Sequence, residues 1–226
     1  MIPFYSLCYR DMAKRDHLVE VAHHIHMPII LHEGLALDDV RLKGLSPEVA
    51  RLWSITFGHL DIIRHFVETS TADFGIFTEH DILVHKDFPA LLTKAVDGMV
   101  KLDLDVLLLG YLKHPNGPVL SAIHQEGPLT FYSYPDDQWG AHMYMLTKAQ
   151  AKWIVDHIDL AWAQMTRKSS NLPPFNPDWM FTKFGKRACV TPMLALEDGL
   201  GKYEHVGHGN FHRQCFEHNY KADLYL

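Results

Sequence analysis

The chain has 226 residues, 47% of them hydrophobic, which is enough to bury the core of one large domain. Its formal net charge of −6 and its lack of any Lys or Arg block argue against nucleic acid or an anionic membrane as main partner. Three cysteines without a Cys-x-x-Cys pair, and no membrane-length apolar run or signal peptide, predict a soluble cytoplasmic protein with no transmembrane segment.

The first half of the sequence predicts strands that alternate with helices. Apolar residues recur at helical intervals in some segments and form short continuous runs in others. Ser46-Pro47 is typical of a helix start. In chain order, we predict a strand over 3–9, a helix over 12–25, a strand over 27–31, a helix over 46–67, a strand over 74–78, a helix over 87–102 and a strand over 105–109.

The second half shows a mixed pattern. Two short strands over 119–123 and 129–133 are expected to form an antiparallel ribbon, and a strand over 141–146 precedes a helix over 148–158. The tail from Gly199 is rich in Gly, His and aromatic residues and lacks periodicity. Alternating strands and helices indicate the α/β class, with a mostly parallel, Rossmann-like sheet flanked by helices and a smaller antiparallel ribbon.

Several common catalytic motifs are absent. The sequence contains no G-x-G-x-x-G after its first strand, no G-x-x-x-x-G-K-[ST], no H-E-x-x-H and no G-x-S-x-G. These absences argue against dinucleotide oxidoreductases, P-loop enzymes, zincins and α/β-hydrolases.

An acidic pair follows the third predicted strand. The run from Phe74 delivers Glu79 and Asp81 at its carboxyl end, on either side of His80. Ligands collect outside the carboxyl ends of strands in open α/β sheets, so this pair is placed to hold a metal and an anionic substrate. The alternative is structural: Asp81 ends a strand in solvent, and Asp87 caps the next helix.

Several segments match one family pattern: Tyr5-Ser-Leu-Cys-Tyr-Arg-Asp11 with Arg15, Ser54-Ile-Thr-Phe-Gly-His-Leu60, Phe74 to Phe88, Asp105 to Leu109, Trp139-Gly-Ala-His-Met-Tyr-Met-Leu-Thr147, and Asn176-Pro-Asp-Trp179. In these segments the chain resembles the GT-A glycosyltransferases, and particularly glycosyltransferase family 25 and its relatives. Most of residues 3–195 take part. The middle acid of the family's "ILEDD" strand is His80 here, and Gly58 replaces the serine expected before His59.

The resemblance implies a single GT-A-like domain over 1–226, with a nucleotide-binding half (1–110) and an acceptor half with the tail (111–226). It implies transfer of a sugar from a nucleotide-sugar donor, UDP-sugar foremost, to a hydroxyl of a glycan or glycoconjugate, with inversion. A divalent cation would neutralise the leaving diphosphate. Asp81 is then the direct ligand, and Glu79 reaches the ribose or a metal-bound water. Residues expected at the nucleotide are Tyr9, Arg10, Asp11 and Arg15.

The tail offers a histidine to the same metal. GT-A enzymes commonly add one from their C-terminal part, and His208 is our first choice because flanking glycines permit close approach to phosphate. Carboxylate plus imidazole favours Mn²⁺ over Mg²⁺. Alternatively, His205, His208 and His212 form a zinc site or lie in an exposed loop. Gly207 and Gly209 disfavour the helix that a zinc site would need.

Inverting transfer requires a base for the acceptor hydroxyl. Candidates are Asp136 and Asp137, before Trp139, and Asp178, for which helix capping is the competing explanation. Trp139, Trp179 and Tyr134 are candidates for stacking on sugars, although burial is the commoner fate of Trp. Two other functions stay open: a metal-dependent phosphohydrolase, and a catalytically silent sugar- or nucleotide-binding domain.

Overall fold

The computed structural model describes residues 1–8, 11–199 and 206–226. The strands in these ranges are β1 (Phe4–Leu7), β2 (Ile29–His32), β3 (Phe74–Glu79), β4 (Ile82–Val84), β5 (Val106–Gly110), β6 (Ser121–Glu126), β7 (Leu129–Ser133), β8 (Met143–Thr147), β9 (Arg187–Thr191) and β10 (Ala195–Glu197). The helices are α1 (Met12–His24), α2 (Pro47–Thr69), α3 (Phe88–Leu102), α4 (Lys148–His157), α5 (Leu160–Lys168), α6 (Pro177–Met180) and α7 (Val206–Asn219), with a 3₁₀ turn at Val40–Leu42.

Eight strands form one sheet in the order β2-β1-β3-β8-β5-β9-β7-β6. β1 pairs in parallel with β2 and β3, and β5 pairs in parallel with β9, while β8 runs antiparallel to both of its neighbours. β4 and β10 form a separate antiparallel pair. The predicted fold class is confirmed: a mostly parallel central sheet flanked by helices, with a small antiparallel sheet.

The sheet separates two apolar cores. Along β1, Tyr5 faces the core built on α2 and α4, whereas Phe4 faces the core built on α1 and α3. The same alternation recurs in β5, where Leu108 and Leu107 point to opposite cores. Because side chains alternate along a strand, each of these strands contributes to both cores. Both faces of the sheet are covered by helices.

Helix α2 packs very closely on β1. A Cβ added at Gly58 would lie 2.8 Å from Leu7 Cδ1, so no larger residue fits without a shift of Leu7. This close approach places His59, the next residue, in the core with no exposed surface. The helix thereby presents an imidazole to the carboxyl ends of the strands.

The predicted hairpin is an edge of the main sheet. Its strands are β6 and β7, and β7 pairs with β9, so the ribbon extends the central sheet. The small antiparallel sheet is built instead from β4 and β10, which are each three residues long and were not predicted. Asp87 occupies the N-cap position of α3, but its side chain makes no capping hydrogen bond.

The prediction of a non-helical tail is wrong, because residues 206–219 form α7. Two helical glycines cost about 1 kcal/mol each relative to alanine, and tertiary contacts outweigh that cost. Cys215 is buried, and the Phe211 ring stacks on His114 with a centroid separation of 5.2 Å. In the described ranges, no helix has the length and apolar character needed to span a membrane.

Candidate active site

The acidic pair lies where β1 and β3 end. Leu7 of β1 is paired with Glu79 of β3, and the Glu79 N–H donates to the His142 carbonyl at 3.1 Å. The chain then turns through His80 and Asp81 into β4. Glu79 and Asp81 therefore occupy the carboxyl end of a parallel strand pair, where α/β sheets bind ligands.

Glu79 faces histidines. Its carboxylate is 31% exposed, and its Oε1 lies 3.8 Å from Nε2 of the buried His59. Burial acts to raise the pKa of Glu79, but the neighbouring rings of His59, His142 and His80 hold it below its ordinary value. Glu79 is therefore an anion at neutral pH.

Asp81 differs from Glu79, because its surroundings favour the protonated, neutral carboxyl group. Its Oδ1 is buried and has no hydrogen-bond partner in the described part of the chain. Burial, and then the negative charges of Glu79, Glu197 and Asp198, raise the pKa of Asp81 to about 8. Asp81 lies in the turn between β3 and β4 and is only partly open to solvent.

The other two acids of this group are Glu197, the last residue of β10, and Asp198, which follows it. The Asp198 N–H donates to the Asp81 carbonyl at 2.8 Å, which brings the two chain segments together. Lys14 of α1 forms an ion pair with Asp198. We call Glu79, Asp81, Glu197 and Asp198 the acidic cluster.

Helix α7 brings imidazoles to the acidic cluster. His212 Nδ1 lies 2.5 Å from Glu197 Oε2, and His212 Nε2 lies 2.9 Å from His208 Nε2. The i, i+4 spacing of the two histidines puts them on one face of the helix. His205, the third histidine of the tail, lies outside the described residues.

The donor atoms of the cluster suit a divalent cation. Carboxylates suit Mg²⁺ or Mn²⁺, and imidazole favours the softer ion. The unpartnered Asp81 Oδ1 among like charges fits the same role. As the described side chains stand, no group of three His, Cys, Asp or Glu is arranged to hold one ion. A bound cation would have to draw its ligands together.

The predicted nucleotide contacts lie near the start of α1. Asp11 caps this helix by accepting from the Lys14 N–H at 3.1 Å, and Arg15 Nη1 lies 3.1 Å from Glu33 Oε1. Tyr9 and Arg10 lie outside the described residues. A role for these residues at a nucleotide stays a prediction.

Asp178 is not the cap of its helix. Asn176 fills that role by accepting from the Trp179 N–H at 2.9 Å, while Asp178 Oδ1 accepts from the Gly140 N–H at 2.6 Å. Burial raises the pKa of Asp178, the Gly140 hydrogen bond opposes the rise, and the charge of Glu79 adds to it. Asp178 therefore joins the 134–140 loop to α6 within the field of Glu79.

The other two base candidates lie on the outer part of the 134–140 loop. Asp136 Oδ1 lies 2.6 Å from Arg187 Nη2, and Asp137 is exposed. The negative charge of Asp136 is therefore already matched by a cation. Which of the three aspartates is the base stays a prediction.

One aromatic residue of this loop is open to ligands. Trp139 is 37% exposed and meets the Trp179 ring edge-on, with centroids 6.4 Å apart. Tyr134 is buried, and Lys183 and Arg187 lie over its ring at 4.8 and 5.0 Å. Tyr134 thus packs under cations, and Trp139 has the free surface.

Sequence reasoning assigned no role to several residues of this site. His59 was noted only as part of a matching segment. A signal existed for Glu197 and Asp198, since two adjacent acids follow an apolar run. Tyr144 and His142 gave none, because they lie within a strand-like segment.

No protein-family model and no curated protein matches this chain. It is similar to the structure of A197 from STIV, at 15% identity over 84% of this chain and 81% of that one, with a TM-score of 0.39. It is also similar to a glycosyltransferase involved in the glycosylation of the major capsid of PBCV-1, at 15% identity over 76% of each chain, with a TM-score of 0.38. A third structure, HddC from Yersinia pseudotuberculosis, is 11% identical over 94% of this chain and 76% of that one, with a TM-score of 0.37. Membership of glycosyltransferase family 25 stays a prediction.

Proposed function

We propose that this protein is a metal-dependent glycosyltransferase that moves a sugar from a nucleotide-sugar donor to a hydroxyl of a glycan or glycoconjugate. The observation that carries the proposal is the unpartnered, buried Oδ1 of Asp81, which follows β3 and lies near the carboxylates of Glu79, Glu197 and Asp198. Like charges held together in a partly buried place are unfavourable unless a cation joins them. A divalent cation with a diphosphate would supply that charge balance.

On the donor side, Asp81 would bind the metal directly, and His208 would add an imidazole from α7. Glu79, an anion by virtue of its histidine neighbours, would accept a hydrogen bond from the ribose or from a metal-bound water. When bound, the cation stabilises the charge that develops on the leaving diphosphate. A UDP-sugar is our proposed donor.

On the acceptor side, Asp178 is our first choice of base. Its raised pKa brings it nearer to neutral pH, where a general base works best. Asp136 and Asp137 rank second, because Asp136 is paired with Arg187. The exposed face of Trp139 would stack on an acceptor sugar. Transfer with inversion needs one such base.

A ligand panel tests the proposal. Melting temperatures would be measured with UDP, GDP, CDP and ADP, each with and without Mn²⁺, because a ligand that binds the folded state raises its melting temperature. We expect UDP with Mn²⁺ to give the largest rise, and UDP-sugars to be slowly hydrolysed when no acceptor is present. Turnover of phosphomonoesters would favour a phosphohydrolase, and binding without any turnover would favour a silent binding domain. No response to any diphosphate would contradict the proposal.

A further inference from the structure

The interior below Glu79 contains a buried polar pair, His59 and Tyr144. Neither residue has any exposed surface. His59 Nδ1 lies 2.9 Å from the Tyr144 hydroxyl, and His59 Nε2 points toward Glu79 Oε1 at 3.8 Å. Both ring nitrogens of one core histidine are therefore directed at named polar groups.

A purely structural histidine would not be left this way. His59 Nε2 has no hydrogen-bond partner in the described ranges, and a buried polar atom without one is unfavourable. The surrounding core is aromatic: the rings of Tyr144 and Phe181 lie 5.7 and 5.8 Å from the imidazole. A leucine would fill this space but leave the Tyr144 hydroxyl unpaired, and neither packing nor that hydroxyl explains a second ring nitrogen directed at Glu79.

The charges select one proton arrangement. An ionised carboxylate only accepts hydrogen bonds, so Nε2 must carry a proton to attract Glu79. In a neutral imidazole Nδ1 then has no proton, and it accepts from the Tyr144 hydroxyl. The reverse tautomer would turn a lone pair toward the carboxylate, which is repulsive.

We infer that His59 is a positioning residue for Glu79, and that Tyr144 helps to fix the required His59 tautomer, because its hydroxyl proton has no other acceptor than Nδ1 in the described ranges. The Nε2–H of His59 holds Oε1 of Glu79 from below, and Oε2 is left for the ribose or a metal-bound water. The observed gap of 3.8 Å closes to hydrogen-bond distance when a ligand orders the partly exposed Glu79 side chain. This inference rests on the proposed function for its ligand, whereas the tautomer is a property of the ligand-free protein.

Nitrogen NMR of the histidine side chains tests the ligand-free part. We expect His59 in wild-type protein to carry its proton on Nε2, and to lose this single tautomer in Tyr144→Phe. Tyr225→Phe is the matched control, because it also removes a buried hydroxyl. That hydroxyl donates to the Met193 carbonyl at 3.0 Å and makes no contact with Glu79. A proton on Nδ1 in the wild type, or an unchanged tautomer in Tyr144→Phe, overturns the inference.

Two variants with a side-chain amide at position 59 test the effect on binding. Glutamine places an amide N–H near the position of Nε2, and asparagine places one near Nδ1. We expect His59→Asn to weaken Mn²⁺-dependent UDP binding by roughly tenfold, the usual effect of a supporting hydrogen bond, and His59→Gln to restore most of it. Equal losses in two folded variants with equal melting temperatures would contradict a positioning role. If UDP fails to bind wild-type protein, the proposed function fails, and the NMR result still decides the role of the pair.

Discussion

The β3–β4 turn and the 134–140 loop both carry acidic residues beside the same sheet, but the partners of these residues differ. In the turn, Asp81 keeps a buried oxygen without a partner and lies among like charges. In the loop, Asp136 has Arg187, and the Gln138 side chain donates to the Leu112 carbonyl at 2.9 Å. The loop is satisfied by its own contacts, and the turn is not.

This difference separates stability from function. Groups that are fully paired rigidify a segment, whereas a buried polar group without a partner persists only where something else depends on it. Asp178 is intermediate, since it holds the loop through Gly140 and also lies in the field of Glu79.

The largest effect should come from Asp81→Asn. The variant keeps the shape of the side chain and removes the charge that a metal needs, so we expect Mn²⁺-dependent UDP binding to be lost while the fold is kept. Calorimetry with UDP and Mn²⁺ measures this, with Asp136→Asn as the control that keeps binding. Undiminished affinity for UDP and Mn²⁺ in Asp81→Asn would show that Asp81 is not a metal ligand.

Loss of the acceptor base comes next. Among single Asn variants of Asp136, Asp137 and Asp178, we expect Asp178→Asn to lower sugar transfer by roughly 10²- to 10⁴-fold with little change in UDP affinity. Steady-state kinetics with a saturating donor measures it. Near wild-type turnover in all three variants would place the base elsewhere or indicate a retaining mechanism.

A smaller effect is expected at α7. His208→Ala should weaken Mn²⁺-dependent UDP binding by roughly tenfold without lowering the melting temperature, because His208 is exposed. His218→Ala, an exposed histidine in the last turn of the same helix, is the control. Truncation after residue 200 is a poor substitute, since it also removes Tyr225, which pairs with His85 beside β4.

The pH dependence of stability should depend on Asp81. Its pKa of about 8 in the folded state lies above the value of about 4 expected in the unfolded chain. Between these values the folded state binds more protons, so raising the pH favours unfolding. We expect the stability of metal-free wild-type protein relative to Asp81→Asn to fall between pH 5 and pH 8 in urea titrations. A constant difference would show that Asp81 is already ionised at pH 5.

The smallest effect belongs to the loop. Asp136 is 59% exposed, so its ion pair with Arg187 is worth less than about 1 kcal/mol. Urea denaturation of Asp136→Asn should show a change within that limit. A loss of several kcal/mol would mean that the loop depends on this one pair.

The elements that could be predicted are those with a strong local pattern. Apolar spacing placed α1 and α2 correctly, and the continuous apolar run before Gly110 is β5. The three-residue strands β4 and β10 have too few residues to show a period, and their pairing joins segments more than 100 residues apart. Helix α7 depends on tertiary contacts, which its glycine-rich sequence does not reveal.

In the candidate site, too, only the residues with a local sequence pattern could be predicted. Glu79 and Asp81 were predictable because an apolar strand delivers them to a known type of place in α/β sheets. Their partners were not, since His59 comes from the middle of a helix and Glu197 from the far end of the chain. For Asp178 the sequence left helix capping as the competing explanation, and only the structure shows that Asn176 has that role.

The tight packing of Gly58 against Leu7 has an evolutionary consequence. A serine at position 58 would place its Cβ 2.8 Å from Leu7 Cδ1, so the Leu7 side chain would have to move to make room for it. In homologues with serine before the histidine, we expect a smaller side chain at position 7. In this protein, Gly58→Ser combined with a smaller side chain at position 7 should be tolerated better than Gly58→Ser alone. Because the adjacent imidazole lies below Glu79, covariation at these two buried positions would record how each lineage keeps its donor-side carboxylate in place.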